Sequence, residues 1–234
     1  MAALKEKKFR KESGEYLVEG VKMVSECISA GCEITSLMCT EEYLPRFASA
    51  TEVSRAVYEF ISDEKSPQGV IASVKIPVMP VAAPQGRCVL LDGLQDPGNV
   101  GTIIRTANAA GYGDIYLVGC VDPFSPKAVR ASMSGVFFTR IMQGSAQEVL
   151  SALGGVPLVC ADMDGESAYG FAAPEKFCLC IGSEGSGLSE EVRRAAAHTV
   201  KIPMRPTCES LNAAVSAGIL MYLLKGAENL VSKE

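Results

Sequence analysis

Three short stretches of the chain carry polar groups that their surroundings do not explain. "NVGTIIR" sets Asn99 six residues before Arg105, and "GSEGSG" sets Glu184 inside a run of glycines and serines from Gly182 to Gly187. "ESLN" places Ser210 and Asn212 on either side of Leu211, with Glu209 just before them. Asparagine and serine orient a hydroxyl by hydrogen bonding, and a carboxylate holds a donor or takes a proton. A guanidinium binds phosphate or stabilises charge that develops on oxygen, and glycines let a ligand approach the backbone closely. Each stretch also has an ordinary explanation: Ser and Asn cap helices, an arginine on a helix is solvated, and a glutamate in a turn is exposed. Three such loops in one chain point to a composite site.

The elements around these loops are short and regular. Strands are expected at residues 88–91, 115–118, 136–141, 158–161, 177–181 and 200–202. Helices are expected at 99–110, 126–134, 146–153, 189–197 and 210–225, the fourth capped by Ser189. Apolar strands alternating with helices give an α/β fold with a mostly parallel sheet covered on both faces. Ligands sit where the strands of such a sheet end. In the first helix Val100, Ile103, Ile104, Ala107 and Ala110 share one face, and Arg105 lies on the other at about 140° from Val100. In the last helix, the spacing of Leu211, Ala214, Val215, Gly218, Ile219, Tyr222 and Leu223 marks a packed face. Its opposite side, Ala213, Ser216, Ala217 and Leu220, is small or apolar too, so burial on most sides is expected.

Upstream, "IPVMPVAAPQG" has Pro77, Pro80 and Pro84 and no charge, which suits a semi-rigid connector. Before it stands a small α/β unit, with helices at 15–30 (Leu17, Val21, Val24 and Ile28, stopped by Gly31) and 41–50, and strands at 34–39 and 70–76. The organisation is therefore residues 1–76, a linker at 77–86, and a second domain at 87–234.

Composition removes several classes of function. The net charge is −5, so nucleic acid binding would need a local patch. "MAALKEKKFRKE" supplies Lys5, Lys7, Lys8, Arg10 and Lys11 as a basic arm or as a solvated terminus, and it lacks the apolar core of a secretory signal. No apolar run is long enough to span a membrane. Nine cysteines with one histidine and no CxxC read as reduced core residues of a cytoplasmic protein, and no metal is expected. The glycines follow neither the dinucleotide nor the Walker pattern, which argues against a nucleotide-dependent oxidoreductase.

With these three loops in this order and spacing, the chain resembles the SpoU/TrmH family of RNA ribose 2′-O-methyltransferases, in the SPOUT superfamily. The matching motifs are "NVGTIIR", "GSEGSG" and "IPM" followed by "ESLN", with "SPKAVRASMSGVFF" between them. "YLVEGVKMV" and "SPQGVIASV" resemble the family's RNA-binding domain. Pro206 stands where the family usually has glycine.

The resemblance implies a C-terminal domain tied in a deep trefoil knot, preceded by a small α/β RNA-binding domain, and a homodimer whose active sites are lined by both subunits. It implies S-adenosylmethionine as cofactor, held by Gly182, Ser183, Ile202, Met204 and Leu211, and RNA (rRNA or tRNA) as substrate. Asn99, Arg105, Glu184, Ser210 and Asn212 become the catalytic set, and Lys7, Lys8, Arg10, Lys127 and Arg130 the RNA contacts. Arg105 is the base or, since a guanidinium keeps its proton, a stabiliser of developing charge. Glu184 orients Asn99 or Asn212, or accepts the proton. A non-catalytic RNA-binding protein with the same fold is the alternative.

Overall fold

The computed structural model describes residues 1–64 and 66–224. Lys225, the expected end of the last helix, lies outside the described residues. A 3-10 turn (Ala2–Lys5) leads into helix α1 (Lys7–Ser13) and strand β1 (Glu15–Glu19), followed by α2 (Val21–Ser29), β2 (Ile34–Cys39), β3 (Thr51–Glu52), α3 (Arg55–Ile61) and β4 (Val70–Lys75). The four strands form one sheet in the order β1-β4-β2-β3.

Segment 15–30 is a strand and a helix, not one helix. Tyr16, Leu17 and Val18 are all buried, which a one-faced helix would not require, and Gly20 turns the chain at φ 98°. Segment 41–50 holds only a single 3-10 turn at Glu41–Tyr43; Pro45, two residues on, cannot donate the next helical hydrogen bond.

The second sheet comprises β5 (Cys88–Asp92), β6 (Asp114–Val118), β7 (Arg140–Gly144), β8 (Leu158–Ser167), β9 (Cys178–Gly182) and β10 (His198–Lys201). Its order is β10-β8-β9-β5-β6-β7 and every pairing is parallel. Such a sheet is covered on both faces, so its strands are apolar throughout. Alternate residues of β5, β6 and β9 serve two different cores. Val89, Leu91, Ile115, Leu117, Leu179 and Ile181 pack with α4 (Pro97–Ala110) and with α9 (Ala213–Leu224). Cys88, Leu90, Tyr116, Cys178 and Cys180 pack with α7 (Ala146–Leu153) and α8 (Glu190–Arg194).

Two short helices, α5 (Pro126–Ser132) and α6 (Gly135–Phe138), lie against α4. The strand expected at 136–141 starts only at Arg140, because Gly135–Phe138 is helical. A short apolar run does not reveal its period, and here Gly135 nestles on α4, where a Cβ would stand 3.0 Å from the Arg105 Cα. Helix α8 is shorter than expected, and the Ser189 side chain does not cap it. The packed face of α9 is also the reverse of the expected one. Ala213, Ala217, Leu220 and Met221 are buried, whereas Val215 and Leu223 are 50% and 36% exposed.

Arg10 is a fold residue rather than an RNA contact. The residue is 3% exposed, and its guanidinium donates to Asp122 Oδ2 from Nε and Nη2 at 2.9 and 2.7 Å, and to the Leu4 and Lys5 carbonyls at 2.8 Å each. Tyr16 meets Phe124 nearby at 5.0 Å between ring centroids, so the ion pair ties α1, and the aromatic pair ties β1, to the loop after β6. All nine cysteines are free thiols; burial pushes Cys120 up to about 11, and only Cys208 is exposed.

Removing one partner of a buried ion pair strands the other charge. Arg10→Ala should therefore lower the unfolding free energy by about 3 kcal/mol, read from urea denaturation. A change below about 0.5 kcal/mol, the scale of ordinary surface substitutions, would contradict the role given to Arg10.

Candidate active site

The loops after β5 and β9 and the segment before α9 converge at one end of the second sheet. Helix α4 begins at Pro97, two residues earlier than expected, because Asp96 caps it: Gly98 N donates to Asp96 Oδ1 at 3.0 Å. Lys127 reaches the same carboxylate at 2.5 Å, and these two bonds hold the Asp96 carboxyl below the usual carboxylate range. Asn99 is thereby fixed in the first turn of α4. Behind it Gly101 allows α5 to pack closely, since a Cβ there would lie 2.2 Å from the Ala128 carbonyl oxygen.

The turn after β9 is tightly closed. Ser183 and Gly187 exchange backbone hydrogen bonds at 3.1 and 2.9 Å, and the Ser183 and Ser186 hydroxyls meet at 2.7 Å. Gly182 admits no side chain, because a Cβ would fall 2.2 Å from the Gly187 carbonyl carbon. The far end of the turn is tied to β5, where the buried Asp92 accepts a bond from Ser189 N at 2.7 Å.

Asn212 precedes α9 and caps it. Its Oδ1 accepts from Ala214 N and Val215 N at 3.0 and 3.3 Å. Its Nδ2 donates to Asn99 Oδ1 at 2.9 Å and to Glu184 Oε1 at 3.1 Å. Asn99 Nδ2 donates to the same Glu184 oxygen at 2.7 Å, and Ala213 N completes the set at 3.3 Å. One carboxylate oxygen therefore joins all three loops.

Beside this network lies a cleft of about 380 Å³. Of the residues singled out in the sequence, Gly182, Ser183, Glu184, Ile202, Met204, Ser210 and Leu211 line it. Asn99 and Asn212 stand at its edge through Glu184. Arg105 does not join them. It lies six residues beyond Asn99, about 9 Å along the helix, exposed, and with no hydrogen bond or ion pair among the described residues. Lys7 and Lys8 are exposed on α1, Lys127 is held by Asp96, and Arg130 pairs with Asp63 at 2.9 Å. The sequence did not single out Asp92, which ties down the glycine turn, Asp96, which caps α4, or Asp162, which lines the cleft with Arg193 Nη2 3.2 Å from its Oδ2. Asp92 and Asp162 each follow a buried apolar run, "CVLL" and "LVCA", and a carboxylate at that place is the signal that could have found them.

The family model described as the SpoU rRNA Methylase family matches residues 86–222, and the MRM3-like substrate binding domain matches residues 1–72. The 23S rRNA (guanosine(2553)-2′-O)-methyltransferase RlmP of Bacillus subtilis is 29% identical over 239 residues, covering 94% of this chain and 92% of its own length. The 23S rRNA (adenosine(1067)-2′-O)-methyltransferase of Streptomyces laurentii is 33% identical over 227 residues, covering 88% and 84%. The structure of an AdoMet-bound rRNA methyltransferase from Sinorhizobium meliloti superimposes with a TM-score of 0.88 at 31% identity, covering 95% of this chain and 91% of that one.

The cap and the network separate experimentally. Asn212→Ala should destabilise the protein by about 1 kcal/mol through loss of the cap, measured by urea denaturation. Asn212→Ser keeps a capping oxygen of similar preference and should recover most of that loss while removing the Nδ2 donor. Equal destabilisation by both variants would show that the cap is not what Asn212 contributes to stability.

Proposed function

The chain belongs to the SpoU rRNA Methylase family, and on that premise we propose how its own residues carry out the family's reaction on ribosomal RNA. The protein is an S-adenosylmethionine-dependent methyltransferase acting on a ribose 2′-hydroxyl of RNA. The observation that carries the assignment of residues is the Asn99–Glu184–Asn212 network at the edge of the cleft. The two relatives act on different nucleosides, a guanosine and an adenosine, so the base is read outside the features they share with this chain.

The cleft fits the cofactor. Its 380 Å³ lies within the range of small-molecule sites, and the bare backbone at Gly182 permits close approach. Gly182, Ser183, Ile202, Met204 and Leu211 would hold it, and when bound it supplies a methyl group on a cationic sulfur. The remaining work is positioning and charge. Asn99, locked by Glu184 and by Asn212, keeps one Nδ2 hydrogen and one acceptor position on Oδ1 for the incoming ribose, which fixes the attacking oxygen; Asn212, whose amide is fully engaged, braces it. Ser210 braces the same wall. Glu184 already receives three donors on Oε1, so its role is to orient the amides. Arg105 binds the phosphate beside the ribose and stabilises charge on the oxygen.

Arg105 reaches such a site in a homodimer. Val215, Ile219 and Leu223 form an apolar strip on α9 that this chain leaves partly or fully exposed, and α9 packs on α4. Burying the strip against a second copy brings the α4 of one subunit beside the cleft of the other. The trefoil knot, the cytoplasmic location and the division at residues 77–86 belong to the same proposal, supported by the family's motifs in this sequence. Lys7 and Lys8 on α1 are the exposed cations of the first unit that would meet RNA.

Arg105→Ala should reduce methyl transfer to rRNA at least 100-fold, the scale of a lost charge-stabilising contact, while calorimetry shows cofactor binding unchanged. Turnover within a few-fold of the parent would remove Arg105 from the reaction. Val215→Asp should convert a dimer to a monomer in analytical ultracentrifugation, and an unaltered dimer would place the interface elsewhere. Mapping 2′-O-methyl sites in total RNA with and without the gene identifies the target nucleotide; no lost site in rRNA would refute the substrate.

A further inference from the structure

The cleft exists because two parallel strands part. β8 and β9 pair from Leu158↔Cys178 to Cys160↔Cys180 and no further. β8 then runs on beside β10, pairing Glu166 with Val200 and Ser167 with Lys201 past a register shift between Thr199 and Val200. Gly165 permits that close passage, since a Cβ there would lie 2.6 Å from Val200 N. Continuing the β8–β9 register by two residues sets Asp162 opposite Gly182, across the gap where the cavity opens, and both line it.

Among the described residues, three carboxylates line the cleft: Asp162, Glu184 and Glu209. Glu184 is taken by the amide network, and Glu209 is exposed. Asp162 is different, because its side chain is 19% exposed and held from two sides. Arg193 Nη2 lies 3.2 Å from Oδ2, and Asp164 N donates to Oδ1 at 3.2 Å. A carboxylate offers about four acceptor positions, so both oxygens retain capacity for a ligand. Arg193 offsets the charge of Asp162, which leaves an acceptor suited to neutral hydroxyls more than to an ammonium group. The position agrees with this. Asp162 faces Gly182, two residues before Glu184, and in S-adenosylmethionine the ribose is one carbon from the reacting sulfur.

We infer that Asp162 accepts hydrogen bonds from the ribose hydroxyls of the cofactor, with Arg193 as the positioning residue that fixes its carboxylate. The inference rests on the reading of the cleft as the cofactor site. A carboxylate at a strand end that holds a ribose diol is a known solution in other α/β proteins; here a different loop order supplies it.

The test is calorimetry with S-adenosylhomocysteine and its 2′,3′-dideoxyribose analogue. The parent protein should bind the complete ligand about tenfold or more tightly than the analogue, the scale of a hydrogen bond to a charged group. Asp162→Ala should remove that difference, weakening the complete ligand by the same factor and leaving the analogue within about twofold of its parent affinity, which is below 0.5 kcal/mol. Arg193→Gln should narrow the difference between the two ligands without abolishing it. Equal loss of both ligands in Asp162→Ala, or full retention of S-adenosylhomocysteine affinity, would overturn the role of Asp162. Failure of the parent protein to bind either ligand would instead overturn the cofactor cleft itself, and this inference with it.

Discussion

Everything at the site depends on one oxygen, Glu184 Oε1. It receives Asn99 Nδ2 from the start of α4, Asn212 Nδ2 from the segment before α9, and the backbone N–H of Ala213. Hydrogen bonds to an ionised group are shorter and stronger than neutral ones, and the N-terminal end of a helix favours a negative charge beside it. The carboxylate therefore fixes three chain segments that are 85 and 28 residues apart along the sequence. Asn212 couples this to the fold, because the same side chain that donates to Glu184 also caps α9 through Oδ1. A rotation of α9 by one residue would break the cap and the network together.

The carboxylate is itself delivered by a turn with no slack. The Ser183–Gly187 bridge, the Ser183–Ser186 hydroxyl contact and the Asp92 bond to Ser189 close the loop from both ends. Asp92 is the last residue of β5, and Gly182 is its register partner on β9. The sheet thus sets the turn, the turn sets Glu184, and Glu184 sets the two asparagines. A glutamate among glycines reads as a flexible exposed residue in the sequence, but the hydrogen bonds leave its side chain a single arrangement.

Legibility from sequence followed this division. The parallel strands were plain because "CVLL" and "CLCI" are apolar at every position, as two-sided burial requires. The packed face of α4 was equally plain, since Val100, Ile103, Ile104 and Ala107 are all fully buried at helical spacing. Errors arose where period alone had to decide. Leu17, Val21 and Val24 fit one helix until Gly20 breaks the chain between them, and residues 136–141 are too short to show a period. The site's loops could be singled out from their polar residues. Their junction could not, because it is made by partners far apart in the chain, as is the burial of Arg10 by Asp122.

The faces of α9 give the most informative disagreement. Apolar on nearly every side, it offered no contrast by which its inner face could be chosen, and spacing favoured the side of Val215 and Leu223, which is exposed. Helix α4 shows the complementary case: its inner face was unambiguous, and Arg105 on its outer face has no partner among the described residues. These two leftovers are neighbours, since Gly218 of α9 sits against Thr106, where a Cβ would lie 3.6 Å from Cγ2. An apolar strip asks for burial, and an arginine beside it asks for an anion. The proposed homodimer answers both at once, because the surface that buries the strip is the one that carries Arg105 towards a neighbouring cleft. Under that reading the periodicity of α9 was not misleading: it recorded an apolar face that belongs to two chains.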